Sequence, residues 1–203
     1  MKNRKLKILA ASDIHGDSDL VKTLANKAKK EKADAVVLCG DITGGVETPN
    51  IIKPFKDNNL EVFIVPGNHD EIATIDFLSN IYEIKNMHSS SFELKDVGFF
   101  GTGYAEPSPL TKITEEKIFH SLNNSHRYIK HKKKKVMITH QHPSESKSEF
   151  SGFEGSKGLT KAIKRFKPDI LIHGHIHEAA GMEDQIGPTK IFNVGRKGRI
   201  IEI

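Results

Sequence analysis

Five apolar runs in this chain each end abruptly in residues that can bind a metal ion. The clearest is the run Val-Val-Leu-Cys at 36–39, which is followed at once by Gly40 and Asp41. Such a run is typical of a strand buried in a parallel sheet, and open α/β sheets carry their chemistry just outside the carboxyl ends of these strands. Asp41 is therefore predicted to lie at a strand end where a ligand could bind.

The other four runs break off in the same way. Residues 8–11, 62–65, 136–139 and 170–172 lead, in that order, to Asp13 and His15, to Asn68 and His69, to His140, and to His175 and His177. Because the chemistry of an open sheet gathers at these strand ends, we expect the side chains to converge. Carboxylate, amide and imidazole groups without a thiolate suit manganese, iron, zinc or magnesium. The pattern predicts a metal site in which one carboxylate could bridge two ions.

These motifs, in the order Asp-x-His, Gly-Asp, Gly-Asn-His-Asp, His and Gly-His-x-His, resemble the signature of the calcineurin-like metallophosphoesterases. The resemblance extends from about residue 8 to about residue 195. The stretches 38–43 and 174–178 look most like the small branch of the family, which has no added domains. Periodicity alone indicates only an α/β protein, but the resemblance implies a four-layer αββα sandwich of two mixed sheets flanked by helices.

The resemblance also implies two divalent ions, each with four protein ligands. The two ligand sets are Asp13, His15, Asp41 and His177 for one ion, and Asp41, Asn68, His140 and His175 for the other. Asp41 would bridge the ions, and a hydroxide held between them would attack phosphorus. Manganese is expected first, with iron, zinc, magnesium or nickel as alternatives. Taken singly, each residue has a structural explanation, such as capping a turn, so the prediction depends on the complete set.

His69 is the histidine of these motifs that the resemblance does not assign to a metal. It implies that His69 protonates the leaving oxygen or stabilises charge on the phosphoryl group. In some branches a residue shortly after the Gly-Asp aspartate orients this histidine, but here residues 42–45 read Ile-Thr-Gly-Gly and offer no usual partner. Asp70 is predicted to be structural rather than catalytic.

The remaining histidines divide into two groups. His142 and His173 lie close to predicted ligands in sequence, and His142 is the alternative to His140 as a metal ligand. We prefer His140 because it directly follows the strand. The others, which have no motif around them, are predicted to lie on the surface or on helices: His88, His120, His126 and His131.

Composition indicates a soluble globular protein. The 203 residues, 36% hydrophobic and 28% charged, predict a single domain over 1–203. No apolar run approaches the ~20 residues of a membrane-spanning helix, and the start of the chain lacks the features of a signal peptide. Cys39 is the single cysteine, so no internal disulfide can form, and its apolar surroundings predict a core position. A cytoplasmic location follows.

The net charge of +5 would assist attraction of phosphate-bearing substrates. Much of the excess lies in the lysine run 132–135 and at the amino terminus, without interleaved aromatic residues. Nucleic-acid binding is therefore an alternative that the sequence does not favour.

Periodicity and turn residues predict the remaining elements. Helices are expected at 18–32 with Ser18 as the N-cap, 50–57, 72–81, 114–131 and 159–166, and Phe119, Leu122, Tyr128 and Ile129 are expected to be buried. A hairpin is expected over 92–101 and short strands at 182–186, 189–193 and 199–203. The polar stretch 140–158 is too long for an ordinary connection, which makes it either a substrate loop or a disordered segment.

The sequence thus predicts a hydrolase that acts on small phosphate esters, with diesters favoured. An open groove without a cap domain leaves a nuclease of the same family as an enzymatic alternative. The alternative from another class is a non-catalytic scaffold for protein interactions, although the complete ligand set argues against it.

Overall fold

The computed structural model describes residues 4–44, 49–106, 108 and 113–203. The strands in these residues are β1 (Lys7–Ala11), β2 (Ala35–Cys39), β3 (Glu61–Val65), β4 (Lys85–Asn86), β5 (Ser91–Leu94), β6 (Val97–Thr102), β7 (Lys134–Thr139), β8 (Ile170–His173), β9 (Glu183–Ile186), β10 (Thr189–Asn193) and β11 (Arg199–Glu202). The α-helices are α1 (Ser18–Lys30), α2 (Lys53–Lys56), α3 (Ile72–Tyr82), α4 (Glu115–Ile129) and α5 (Lys157–Phe166). Short 3₁₀ helices lie at Lys147–Ser151 and His177–Ala179.

The first sheet has the order β11-β1-β2-β3-β4 and is parallel except at β11. Every residue of β2 is buried because helices cover one face and the second sheet covers the other. The apolar run at 36–39 therefore forms the central buried strand that the sequence predicts.

The second sheet has the order β5-β6-β7-β8-β10-β9, with parallel neighbours at its centre and antiparallel strands at both edges. The predicted hairpin forms between β5 and β6. The last predicted strands do not stay together: β9 and β10 close this sheet, whereas β11 crosses to the first sheet and pairs antiparallel with β1.

The two sheets face each other across a shared apolar core. Phe63 of the first sheet stacks on Phe99 of the second, with ring centroids 4.9 Å apart. A second cluster joins the first sheet to α1, α2 and α3, and a third joins the second sheet to α4 and α5. The layers are therefore helix, sheet, sheet and helix, which confirms the predicted αββα sandwich of mixed sheets.

Several details of the helices differ from the prediction, since α2 covers only Lys53–Lys56 rather than 50–57 and α4 covers Glu115–Ile129 rather than 114–131. The N-cap of α1 is Asp17, whose side chain accepts from the Leu20 amide, so the assignment of Ser18 was wrong. Tyr128 on α4 is 63% exposed, so its predicted burial was also wrong. The small side chains Ser121 and Ser125 occupy the buried face instead, because α4 packs closely against the second sheet and α5.

Some predictions lie outside the described residues. They concern Gly45 in the stretch after Asp41 and the first residues of the chain. Among the helices that the structure describes, none is both long enough and apolar enough to cross a membrane.

Candidate metal centre

The predicted ligands follow five strands, three from the first sheet and two from the second, and backbone hydrogen bonds hold their loops together. The amide of Asp13 donates to the Gly40 carbonyl at 3.0 Å, and that of His15 donates to the Asp41 carbonyl at 2.9 Å. The amide of Gly174 donates to the His140 carbonyl at 3.1 Å. The loops after β1 and β2, and those after β7 and β8, are thus fixed pairwise at one edge of the sandwich.

Asp41 lies at the middle of the centre. Its Oδ1 accepts from the His69 amide at 2.9 Å, and its Oδ2 lies 3.4 Å from His140 Nε2 and 3.8 Å from His15 Nε2. The ligand sets that the family resemblance implies give His15 and His140 to different ions. A carboxylate between these two imidazoles has the position that a bridging ligand needs.

One side of the centre, formed by Asp41, Asn68 and His140, is buried. His140 Nδ1 donates to the Cys39 carbonyl at 2.7 Å, so in the neutral ring Nε2 carries a lone pair. That lone pair faces Asn68 Oδ1 at 3.0 Å and Asp41 Oδ2 at 3.4 Å. Three acceptors facing one another need a proton or a metal cation between them.

The charges of this buried side follow from the same contacts. Burial alone would lower the pKa of His140, but the hydrogen bond and charge of Asp41 raise it to about 9. Burial alone would raise the pKa of Asp41, but the hydrogen bond and charge of His140 lower it to about 2. Without a metal, the pair is therefore held together by a proton on His140.

The other side of the centre, formed by Asp13, His15 and His177, is open to solvent at His177, whose side chain is 58% exposed. The three residues offer ligand atoms that all lie within 4.8 Å of one another. Asp13 Oδ1 is buried, has no hydrogen-bond partner among the described residues and lies 3.5 Å from His177 Nε2. Burial lowers the pKa of His15 although Asp41 and Asp13 oppose it, which favours the neutral ring that binds metals.

His175 connects the two sides. Its amide donates to Asp13 Oδ2 at 3.2 Å, and its ring centroid lies 5.1 Å from that of His140. Its Nε2 is buried without a hydrogen-bond partner in the described part of the chain. Burial, and to a lesser extent the charge of His140, lower the pKa of His175 to about 3, so the ring is neutral and its free nitrogen can serve as a ligand.

The residues present fit divalent ions. The ligand atoms form two groups, Asp13 with His15 and His177, and Asp13 with Asp41 and His140. Asp13 is common to both groups, so its carboxylate, which the ligand sets assign to the outer ion alone, also lies within reach of Asp41 and His140. The donors are oxygen and nitrogen, and the Cys39 thiol stays buried in the core. Buried acceptors without partners would each cost free energy unless a cation satisfied them.

The backbone of the centre is held in an unusual conformation. Asp13, His15, Asp41 and His175 have φ between 48° and 69°, in the left-handed region that is uncommon for residues other than glycine. Such conformations cost on the order of 1–3 kcal/mol each and cluster at functional sites. Two glycines permit the close packing: a Cβ at Gly40 would overlap the His140 ring, and one at Gly67 would overlap the Asp41 carboxylate.

His69 lies at the exposed rim, with its ring centroid 5.8 Å from that of His15. Thr43, in the stretch where the sequence lacks an orienting partner, donates its hydroxyl to Asp70 at 2.8 Å instead. Asp70 also accepts from the amides of Gly67, Ile42 and Thr43. These bonds tie the loops after β2 and β3 together, which is the structural position that the sequence predicts for Asp70.

His142 and His173 support the ligand loops from behind. His142 Nε2 donates to the Phe153 carbonyl at 3.3 Å, and His173 Nδ1 donates to the Gly174 carbonyl at 3.0 Å. Burial lowers the pKa of both rings, that of His173 to about 3. Neither belongs to the groups of clustered ligand atoms among the described residues, so the geometry favours His140 as the ligand.

The histidines without a motif occupy varied positions. His131 is exposed and pairs with Glu93, and His126 lies on α4 against Phe166, as predicted. His88 differs: it follows β4, is partly buried, and its Nδ1 accepts from the Gly103 amide at 3.0 Å. The prediction for His88 was wrong because the short strand β4, which has no clear apolar pattern, was not foreseen.

Two contributors were missed by sequence reasoning. Ser12 donates its hydroxyl to the Cys39 carbonyl at 2.8 Å. Arg196 donates to the Asp13 carbonyl at 3.3 Å and to Asp17 Oδ2 at 2.7 Å, which braces the first ligand loop. No motif marks Arg196, because it reaches Asp13 only through the crossing of the chain from β10 to β11.

A cavity of about 360 Å³ adjoins the open side of the centre. Asp13 and His177 line it together with Gly195, Arg196 and Lys197. It is large enough for part of a small ligand and lies next to the candidate metal positions.

Comparisons with known proteins identify chains related to this one. An uncharacterized protein of Methanocaldococcus jannaschii is 30% identical over 209 residues, which cover 97% of this chain and 91% of the relative. A Pseudoalteromonas protein named "Probable cyclic nucleotide phosphodiesterase" is 26% identical over 161 residues, 73% of this chain and 58% of the relative.

The fold also has a solved counterpart. The crystal structure of the Thermus thermophilus protein TT1561 superposes with a TM-score of 0.77 at 17% identity, covering 98% of this chain and 99% of that one. The profile of one family, the calcineurin-like phosphoesterases, matches residues 6–179. Since that match spans most of the chain, the protein belongs to the calcineurin-like phosphoesterase family, a group of metal-dependent hydrolases of phosphate esters.

Proposed function

We propose that this protein is a phosphodiesterase that hydrolyses small phosphodiesters with two divalent ions, as a single-domain enzyme of the cytoplasm. The observation that carries the proposal is the position of Asp41, whose Oδ2 lies 3.4 Å from His140 Nε2 on the buried side and 3.8 Å from His15 Nε2 on the open side. A carboxylate between two sets of imidazoles suits two neighbouring ions better than one. When bound, such ions supply a nucleophile at neutral pH and stabilise charge on the phosphoryl oxygens.

In this proposal each side of the centre holds one ion. Asp41, Asn68, His140 and His175 would hold the buried ion, and Asp13, His15, Asp41 and His177 the outer one. The hydrogen bond from His140 Nδ1 to the Cys39 carbonyl fixes the ring orientation and the tautomer of that ligand. Manganese is our first expectation, since the set combines carboxylate, amide and imidazole donors.

His69 is the proposed proton donor. Its side chain is exposed at the rim, while its backbone is anchored through the amide that donates to Asp41. The ring therefore stays beside the centre and remains accessible to a substrate. We propose that His69 delivers a proton to the leaving oxygen, which general acids do with gains of roughly 10²–10⁴-fold.

Two observations support small diesters as substrates. The cavity beside Asp13 and His177, about 360 Å³, falls within the size range of small-molecule sites and can accept one ester arm. A relative that aligns with 73% of this chain carries the name of a cyclic nucleotide phosphodiesterase. Diesters are therefore proposed ahead of monoesters and of long nucleic acids.

Turnover assays on purified protein test the proposal. With Mn²⁺ we expect a higher kcat/KM for bis(4-nitrophenyl) phosphate than for 4-nitrophenyl phosphate, loss of activity with a chelator, and recovery when Mn²⁺ is returned. Protein that retains metal but turns over no phosphate ester would be a scaffold. A strong preference for single-stranded DNA or RNA over every small diester would make it a nuclease. Either result would overturn the proposal.

A further inference from the structure

The segment 140–158, which the sequence left open between a substrate loop and disorder, is a hydrogen-bonded loop. Ser146 donates its hydroxyl to the Pro143 carbonyl at 2.8 Å, and the Gly155 amide donates to Glu149 at 3.0 Å. At its far end, Ser156 donates to Glu115 of α4 at 2.7 Å. The loop is therefore fixed both internally and to the body of the sandwich.

This fixed loop nevertheless presents large aromatic side chains to solvent. Phe150 is 63% exposed and Phe153 is 48% exposed. A single exposed apolar residue needs no special explanation. Phe153 differs in its position, because its ring centroid lies 6.4 Å from that of the predicted ligand His175.

The backbone of Phe153 is tied to the ligand loops. Its carbonyl accepts from His142 Nε2 at 3.3 Å, and the ring of His142 lies 6.2 Å from that of His173 at the end of β8. The amide of Ser156, three residues later, donates to the His142 carbonyl at 3.0 Å. Phe153 is thus an aromatic ring held beside the metal centre, with part of its surface free.

We propose that Phe153 is a stacking platform for the base of the substrate, so that the preferred substrates are nucleotide-type phosphodiesters. This inference rests on the proposed function. In a nucleotide whose phosphate is bound at the centre, one sugar separates the phosphate from the base. A side chain on the rim can therefore reach the base. Any base has a flat face that stacks on an aromatic side chain, so the platform would select for a base without selecting its sequence.

Matched esters with the same leaving group test this directly. Thymidine 5′-(4-nitrophenyl) phosphate and methyl 4-nitrophenyl phosphate both release 4-nitrophenol, but only the first carries a base. Loss of one stacking contact corresponds to roughly a 5- to 150-fold effect. We expect Phe153→Leu to raise KM for the thymidine ester by about tenfold, with a several-fold smaller change for the methyl ester.

Two further variants serve as controls. Phe153→Tyr keeps the ring and should retain the low KM for the thymidine ester. Phe77→Leu removes another exposed phenylalanine, 60% exposed on α3, and should change neither ester. Equal losses of Phe153→Leu on both esters, or failure of Phe153→Tyr to retain the preference, would overturn the assignment.

Binding measurements separate this inference from the proposed function. Calorimetry of thymidine 5′-phosphate and methyl phosphate with Mn²⁺-loaded protein needs no turnover. Tighter binding of the nucleotide that is lost in Phe153→Leu supports the platform, even if no ester is hydrolysed and the proposed function fails. Equal affinity for the two phosphates would reject the platform, even if the protein proves to be an active diesterase.

Discussion

The two sides of the candidate metal centre are built in different ways. On the buried side, Asp41 and His140 are fixed by the backbone: the His69 amide donates to one carboxylate oxygen, and the Cys39 carbonyl accepts from the ring. On the open side, His177 is largely exposed and Asp13 Oδ1 has no hydrogen-bond partner among the described residues. The buried side can hold its ligands in place without an ion, whereas the open side leaves room for substrate.

Glycine positions explain how the buried side is assembled. Gly40 and Gly67 precede Asp41 and Asn68, and a side chain at either glycine would overlap a ligand of the centre. The open side depends on a long-range brace, since Arg196 contacts the backbone of the loop that carries Asp13. We therefore expect substitutions on the buried side to remove metal binding, and those on the open side to act on the outer ion or on the reaction.

The largest effect is expected for Asp41→Asn, because both sides share this carboxylate. The amide analogue keeps the shape but lacks the charge, so both ions should be weakened. Loss of residues that merely orient ligands typically costs ~10–100-fold, so loss of a shared ligand should lower kcat/KM by more than about 100-fold. Turnover of an activated diester and metal content after dialysis measure the two effects.

The matched control is Asp19→Asn, which removes an exposed carboxylate on α1. It should leave turnover, metal content and the unfolding temperature as in the wild-type protein. Two retained ions per chain together with wild-type turnover in Asp41→Asn would exclude Asp41 as the bridge.

The two histidines of the Gly174-His175-Ile176-His177 motif should differ in the ion that each loses. His175 packs against His140 with its free nitrogen buried, whereas His177 lies beside Asp13 at the exposed rim. Hence His175→Ala should empty the buried position, and His177→Ala should weaken only the outer one. Anomalous diffraction from crystals of each variant, grown with Mn²⁺, identifies the ion that is lost.

His120→Ala serves as the control for this pair, because His120 is exposed on α4 and should leave both positions filled. The same ion missing from both motif variants would show that the two sides are not separate ligand sets.

The sequence predicted which side chains meet better than how they meet, for a physical reason. A buried strand followed by a polar loop has a local signature, so the strand ends predicted the members of both groups of clustered ligand atoms, but not the supporting residues Ser12 and Arg196. The sequence did not show that Asp13 also lies within reach of Asp41 and His140, because that depends on how the first loop folds around the Gly40 carbonyl. The left-handed backbone of the first loop depends on these tertiary contacts rather than on local propensity.

Long-range contacts account for the other differences. Arg196 reaches Asp13 only because the chain leaves the second sheet after β10 and β11 pairs with β1 in the first. No spacing in the sequence encodes that crossing. Tyr128 was predicted to be buried from helical periodicity, but α4 packs so closely that serine fits its inner face better. Runs of apolar residues predicted the core strands. Which face of α4 is buried depends instead on the sheet and the helix that pack against it.

On the open side, His69→Asn should change the reaction while both ions stay bound. A general acid helps most when the leaving alkoxide is a strong base, so an alkyl or ribose diester should lose about 10²-fold or more. A nitrophenolate needs little protonation, so an activated aryl diester should lose less. Comparing kcat for the two ester types at saturating Mn²⁺ measures this difference.

The alternative role for His69 gives a different pattern. If the side chain stabilises charge on the phosphoryl group, both esters should slow by similar factors, because that charge develops whichever group departs. Equal losses would reject the acid role and leave the diesterase proposal intact. Loss of an ion in this variant would instead make His69 part of the ligand set.

The smallest effect is expected for Arg196→Met, which tests the brace on the open side. Methionine keeps a long apolar side chain but cannot donate to the Asp13 carbonyl or to Asp17. Because Arg196 contacts the backbone of the loop and is partly exposed, the loss should lie at the low end of the ~10–100-fold range for residues that support ligands. We expect the Mn²⁺ concentration for half-maximal activity to rise about tenfold, with kcat nearly unchanged at saturation.

Lys197→Met is the matched control. Lys197 follows Arg196 in the chain, is also positively charged and lines the same cavity. It should leave the Mn²⁺ dependence as in the wild-type protein. The N-cap of α1 should survive in Arg196→Met, because Asp17 caps Leu20 with Oδ1 and contacts Arg196 with Oδ2. A loss of activity that excess Mn²⁺ does not restore would show that Arg196 acts on the substrate rather than on the position of Asp13.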